Sequence, residues 1–209
     1  GASYKAKREE FPSRSPLPLT DAAVGPDGAL YFSVGGRGTQ SALFRVTYVG
    51  KDSTAPVDAR DKKFAKHREL RRSLEAFHGK QDGAAVQAAL ANLGHEDRHI
   101  RYAARVALEF QPADQWVSEV LALQQPGALI NGVMAIARQG DESLQNKAVN
   151  SLLAVNYEKL SRQQKLDLLR AYSLVFIRLG APDVEAADRV LAQLDGRFPS
   201  KEIAVDREL

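Results

Sequence analysis

The sequence predicts a mainly α fold: an α-solenoid of helical hairpins preceded by a small N-terminal β-meander. Three observations predict it. First, the run Asp97-Arg98-His99-Ile100-Arg101-Tyr102-Ala103-Ala104-Arg105-Val106-Ala107-Leu108 sets apolar or small residues at Ile100, Ala104, Ala107 and Leu108, one stripe of a 3.6-residue helix. Second, helical patterns punctuated by glycine run from about Arg60 to the end, in units of roughly thirty to forty residues, the period of stacked helical repeats. Third, the first 58 residues hold five of the nine prolines and seven of the fifteen glycines, a composition of turns. The chain therefore divides into a β-rich segment over 1–58 and a helical array over 59–209.

Within the β-rich segment, Leu19 to Val24 is a short apolar run, followed by the turn Gly25-Pro26-Asp27-Gly28. Ala29 to Val34 reads as a second strand, Gly35 to Gln40 as a loop, and Ala42 to Val49 as a third strand with partial period-2 alternation. Three such strands alone leave open edges, which invite packing on the first helical hairpin or pairing with another copy.

Eight helices are expected in the array, as four hairpins. Phe64, His67, Leu70, Leu74 and Phe77 stripe the first, and Val86, Leu90 and Leu93 the second. The Asp97 run is the third, with Asp97 as N-cap and alanines that allow close helix approach. Trp116, Val117, Val120 and Leu121 mark the fourth, with Trp116 as a packing residue, and Leu129, Ile130, Val133 and Ile136 the fifth. Leu144, Ala148 and Leu152 mark the sixth. Leu166, Leu169, Tyr172 and Phe176 mark the seventh, capped by Ser161; Val184, Ala187, Val190, Leu191 and Leu194 mark the eighth, capped by Asp183. Gly79, Gly94, Gly140 and Gly180 fall where helix C-termini favour a left-handed residue.

Composition narrows the chemistry. With 209 residues, 44% hydrophobic and 26% charged, the chain can bury a substantial core. A net charge of +3 is too small to argue for nucleic acid or a membrane surface. No apolar stretch approaches the roughly 18–20 residues of a membrane span. The absence of cysteine excludes disulfides, thiolate ligands, a cysteine nucleophile and haem attachment through C-x-x-C-H in this chain, and says nothing about compartment. The chain opens Gly1-Ala2-Ser3 without a signal pattern. It closes with Asp206 as the N-cap of a helix that does not develop. Both ends predict a piece of a longer protein.

Candidate chemistry is sparse. The glycines around Arg37 resemble a phosphate cradle, but a strand follows, so neither dinucleotide nor Walker context is met and a β-turn is the better reading. Asp21 and Asp27 are too few to hold calcium and are expected in turns. His95-Glu96-Asp97-Arg98-His99 has the spacing of a zinc-peptidase motif. It straddles a loop and an N-cap, and no third ligand follows, so solvated inter-helix residues are expected. Lys62, Lys63, Lys66, Arg68, Arg71 and Arg72 form a basic run, expected as a solvated face, and Arg98, Arg101 and Arg105 a second group. Glu69, Glu75, Glu96, Asp97 and Glu109 lie beside them and disfavour nucleic acid. Arg101 is expected to be structural, reaching the carbonyls of a neighbouring turn.

Leu19-Thr20-Asp21-Ala22-Ala23-Val24-Gly25-Pro26-Asp27-Gly28-Ala29-Leu30-Tyr31, with Gly35 to Gln40 and Leu43-Phe44-Arg45-Val46, resembles the last blade of a six-bladed propeller of the glucose/sorbosone dehydrogenase-like class. The Asp97–Leu108 run, the array behind it and the closing Asp206-Arg207-Glu208-Leu209 resemble the HEAT-like segment that follows such a propeller. In those large bacterial membrane-bound dehydrogenases, that segment precedes a C-terminal cytochrome c-like domain. The resemblance implies a spacer or docking role in an extracytoplasmic, periplasmic redox protein, whose dehydrogenase site and quinone cofactor lie elsewhere.

The sequence thus predicts a non-catalytic scaffold that binds a protein or adjacent domains, with no catalytic, cofactor or metal residue assigned. Partner contacts are expected at Arg98, Arg101, Arg105 and Arg37, with association of copies through open strand edges. Two alternatives stand beside it: a quinoprotein-type dehydrogenase domain contributing residues such as Arg37 to a site completed elsewhere, and a nucleic-acid-binding helical repeat.

Overall fold

The computed structural model describes residues 1–5, 8–36, 38–53, 55 and 62–209. Its two compact units are Lys5–Arg60, and Asp61–Leu209 together with Gly1–Tyr4. The chain is mainly helical, with 53% helix and nine α-helices among the described residues, and carries a three-stranded antiparallel sheet near its N-terminus. The expected 58/59 boundary lies outside the described residues. Residues 1–4 do not belong with the sheet: Ala2 is buried in the helical unit, and its N–H donates to Asp97 Oδ2 at 2.7 Å.

In the smaller unit, β1 (Leu19–Val24), β2 (Leu30–Gly36) and β3 (Thr39–Val46) pair in sequence order. Gly28 supplies the left-handed backbone (φ 76°) that the first turn needs. Asp27 clasps this hairpin, accepting from the Ala29 N–H, the Tyr31 hydroxyl (2.9 Å) and the Arg45 guanidinium (2.8 Å). The Arg45 guanidinium, with the backbone N–H and the phenol, holds the Asp27 carboxyl below its ordinary range. The expected Gly35–Gln40 loop is shorter than predicted. The glycines let the ladder continue to a Gly36–Thr39 pair, and β3 ends at Val46, before Tyr48 and Val49. Leu30, Phe32 and Val34 pair with Val46, Phe44 and Ala42 on one side and with Val24, Ala22 and Leu19 on the other. Cross-strand partners share a face, so one face of the sheet is apolar throughout, with Phe32 stacked on Phe44 at 4.9 Å.

The helical unit runs α1 (Ala65–Glu75), α2 (Ala85–Leu90), α3 (Arg98–Glu109), α4 (Val117–Leu121), α5 (Pro126–Gln139), α6 (Gln145–Leu153), α7 (Arg162–Leu179), α8 (Val184–Leu194) and α9 (Ile203–Asp206). The odd-numbered helices pack in succession, α1 on α3, α3 on α5 and α5 on α7. The even-numbered ones pack on these and on one another, α2 on α3, α4 on α5, α6 on α5 and α7, and α8 on α6. On α3, Ile100, Ala104, Ala107 and Leu108 are fully buried, as the stripe requires. Asp97, Ser161 and Asp183 cap α3, α7 and α8 through their side-chain oxygens, Ser161 in a full capping box with Gln164. Among the described residues no helix is long and apolar enough to cross a membrane.

Three details depart from expectation, and a fourth adds to it. Gly79 and Gly180 are left-handed (φ 79° and 99°), but Gly94 and Gly140 are not. Gly140 is needed for close approach, since a Cβ there would lie 2.8 Å from the Ile136 carbonyl, whereas one on Gly94 would meet only the end of the Gln125 side chain. Arg68 is not part of a solvated face, being 5% exposed with its guanidinium 4.7 Å from the Tyr4 ring. Asp206 does not begin a helix. It ends α9 and accepts from the Ser200 N–H at 2.6 Å. Trp116 is fully buried as expected, but its anchor is Gln111, a buried amide outside the apolar pattern. The Gln111 carbonyl accepts the indole N–H at 3.1 Å, while its side chain bonds Lys80, Asp82 and Ala107.

Candidate functional site

The exposed side of α3 carries Arg98, Arg101, Tyr102 and Arg105, spaced i, i+3, i+4 and i+7 and so aligned along one face. Because α3 packs on α5 and α5 on α7, this face continues across Asn131 and Met134 of α5 to Gln163 and Asp167 of α7. Together they line a groove of about 300 Å³. An adjoining depression of about 310 Å³ shares Arg101, Asn131, Gln163 and Asp167 and reaches the Gly94–Glu96 turn.

Arg101 donates from Nη1 to the carbonyls of His95 (2.8 Å) and Glu96 (2.9 Å), the structural role expected of it, and its charge still borders the groove. Arg105 pairs with Glu109 at 2.6 Å and lies 5.3 Å from the Tyr102 ring. Glu109 also binds Arg138 of α5 at 2.9 Å, so Arg105 is held in place while one carboxylate serves two guanidiniums. Arg98 is exposed and forms no ion pair among the described residues. Tyr102 is 60% exposed. On the opposite wall Gln163 donates to Asp167 at 2.9 Å, and Asn131 donates to the Gly127 carbonyl at 2.8 Å. The groove offers guanidinium and amide donors, the Asp167 carboxylate, an aromatic ring and a thioether.

Three of the four expected partner residues, Arg98, Arg101 and Arg105, converge here, and Arg37 lies outside the described residues. Tyr102, Asn131, Met134, Gln163 and Asp167 were not foreseen. Tyr102 and Gln163 are exposed and Asn131, Met134 and Asp167 half-buried, and it is the order in which helices abut that brings them together, which no local pattern encodes.

The zinc-like spacing does not form one helical face, since α3 begins at Arg98 with Asp97 as cap. His95 stays in the preceding turn, where Nδ1 accepts the Asp97 N–H at 2.9 Å and its ring meets His67 edge-on at 5.9 Å. Among the described residues no three His, Cys, Asp or Glu side chains gather as a metal site. Asp97 itself is partly buried, which opposes ionisation, but N–H donors from Ala2, His99 and Ile100 outweigh this and hold its carboxyl below the ordinary range. The chain matches no known protein-family model, no characterised protein and no solved structure.

Proposed function

We propose that the helical unit is an α-solenoid of HEAT-like hairpins and a non-catalytic scaffold. Its α3–α5–α7 face docks another protein or a neighbouring domain of a larger redox protein. The succession of α1, α3, α5 and α7 supports the solenoid reading. The strand order, with β1 and β3 at the edges, supports a place beside further β-structure, and an extracytoplasmic parent rests on the sequence resemblance alone. The observation that carries the docking reading is the meeting of Arg98, Arg101 and Arg105 with the exposed Tyr102 in one groove. Arginine and tyrosine dominate binding energy at protein interfaces, and uncompensated guanidinium groups select an acidic partner.

Fluorescence anisotropy with a labelled Glu/Asp-rich peptide tests this. The peptide is expected to bind, and Arg98→Glu combined with Tyr102→Ala is expected to weaken binding by at least about tenfold. A DNA duplex held more tightly than the peptide, with affinity falling steeply as salt rises, replaces docking by nucleic-acid binding.

A further inference from the structure

We propose that the outward face of α8 is a second docking surface, separate from the α3–α5–α7 groove, and that its occupant is a basic amphipathic helix. α8 turns Ala186 and Val190 inward and leaves Val184 79% and Leu191 59% exposed, seven residues apart on one side of the helix. Leu191 and Leu194 meet Phe198, which is 64% exposed, and Leu209 around an open depression of about 470 Å³. The contiguous apolar patch is Leu191, Leu194, Phe198 and Leu209, and a partner that covers it also meets the carboxylates beside it.

Charge identifies the partner. Asp188 and Asp195 fall between and beyond Val184 and Leu191 on the same outward stripe, with Glu185 beside them. None of these three carboxylates forms an ion pair among the described residues. Two neighbouring cations are engaged elsewhere: Arg189 donates to Asn150 at 2.8 Å, and Arg197 binds Glu158 at 2.8 Å and covers the Tyr157 ring. A second copy laid on this face antiparallel and centred between the two carboxylates would bring Asp188 of one copy against Asp195 of the other, which like-charge repulsion opposes. Anionic lipid and nucleic-acid surfaces are repelled in the same way. A helix with an apolar seam flanked by lysine or arginine satisfies both the stripe and the carboxylates.

The test uses the whole 209-residue chain and two labelled 18-residue helical peptides with identical leucine seams, one flanked by lysine and one by glutamate. The lysine peptide is expected to bind saturably and the glutamate peptide at least about tenfold more weakly. Leu191→Ser and the pair Asp188→Lys/Asp195→Lys are each expected to cut lysine-peptide affinity by about tenfold or more, with unchanged circular dichroism and melting temperature. Arg98→Glu is expected to leave it unchanged, which separates this surface from the α3–α5–α7 groove. No binding, equal binding of both peptides, or indifference to Leu191→Ser overturns the proposal. So does a concentration-dependent dimer in sedimentation velocity that Leu191→Ser abolishes.

Discussion

The Glu109 carboxylate, on the last residue of α3, accepts from Arg138 Nε of α5 at 2.9 Å while Arg105 holds its other oxygen. Its side chain is only 7% exposed, so it bridges two helices from a partly dehydrated position. Removing it strands Arg105, itself 15% exposed, without its carboxylate. Glu109→Ala is therefore expected to lower stability by about 2 kcal/mol, the scale of a hydrogen bond to a charged group plus the unpaired partner. Arg138→Ala, at a half-exposed position, is expected to cost about 0.5 kcal/mol. Urea denaturation of both single mutants and the double mutant gives the coupling, and an additive cycle would show that the bridge contributes nothing.

Trp116 is the only tryptophan and is fully buried, which makes it a reporter for the helical core. Its native emission is expected to be blue-shifted and shielded from iodide. Replacing the ring costs both its volume and the Gln111 hydrogen bond: Trp116→Ala is expected to destabilise by about 3–5 kcal/mol. Gln111→Leu keeps the bulk and the carbonyl that receives the indole, but leaves the Asp82 N–H without its acceptor. A loss of about 1–3 kcal/mol by chemical denaturation is expected from that orphaned donor.

The contrast between these residues shows what the sequence makes legible. Ile100, Ala104, Ala107 and Leu108 are recognisable because period 3.6 is a local property, and every one of them is fully buried. The caps Asp97, Ser161 and Asp183 are legible for the same reason, since each reaches an N–H two or three residues away. Arg68 looks like a member of a basic run until Tyr4, far off in sequence, covers it. Gly94 and Gly140 look like helix terminators, but neither is left-handed, and at Gly140 it is the approach to the Ile136 carbonyl that calls for glycine. In the candidate groove the arginines were visible as a cluster on one helix. Asn131, Met134, Gln163 and Asp167 were not, because their proximity depends on how α5 and α7 abut.

Gly132 sits within α5, where helix propensity alone favours alanine by about 1 kcal/mol. Packing reverses the sign. A Cβ at Gly132 would lie 2.5 Å from Val120 Cγ1 on α4, a fully buried side chain with little room to retreat. Gly132→Ala is expected to destabilise by about 1–3 kcal/mol, and Val120→Ala in the same chain to relieve part of that strain. Thermal melts of the two single mutants and the double mutant read this directly, and a melting temperature raised by Gly132→Ala would show that α4 yields.

Asp97 supplies an acid-sensitive element at the start of α3. Burial raises its carboxyl pKa, but the N–H donors of Ala2, His99 and Ile100 lower it by more, so the folded state binds its proton less readily than the unfolded chain. The sign of the linkage follows. The stabilisation is fully present above the ordinary carboxylate range near 3.8 and is lost as pH falls through the lower folded value. Asp97→Ala removes the cap and is expected to cost about 1 kcal/mol at neutral pH. Asp97→Asn keeps an oxygen acceptor for the His99 N–H but cannot ionise. It is therefore expected to cost little at neutral pH for the cap itself, while the acid limb of the stability curve becomes shallower than in the wild type. Urea midpoints followed from neutral pH down through the range in which carboxylates titrate distinguish the two variants. Parallel acid limbs for wild type and Asp97→Asn would show that the charge at this cap does not contribute.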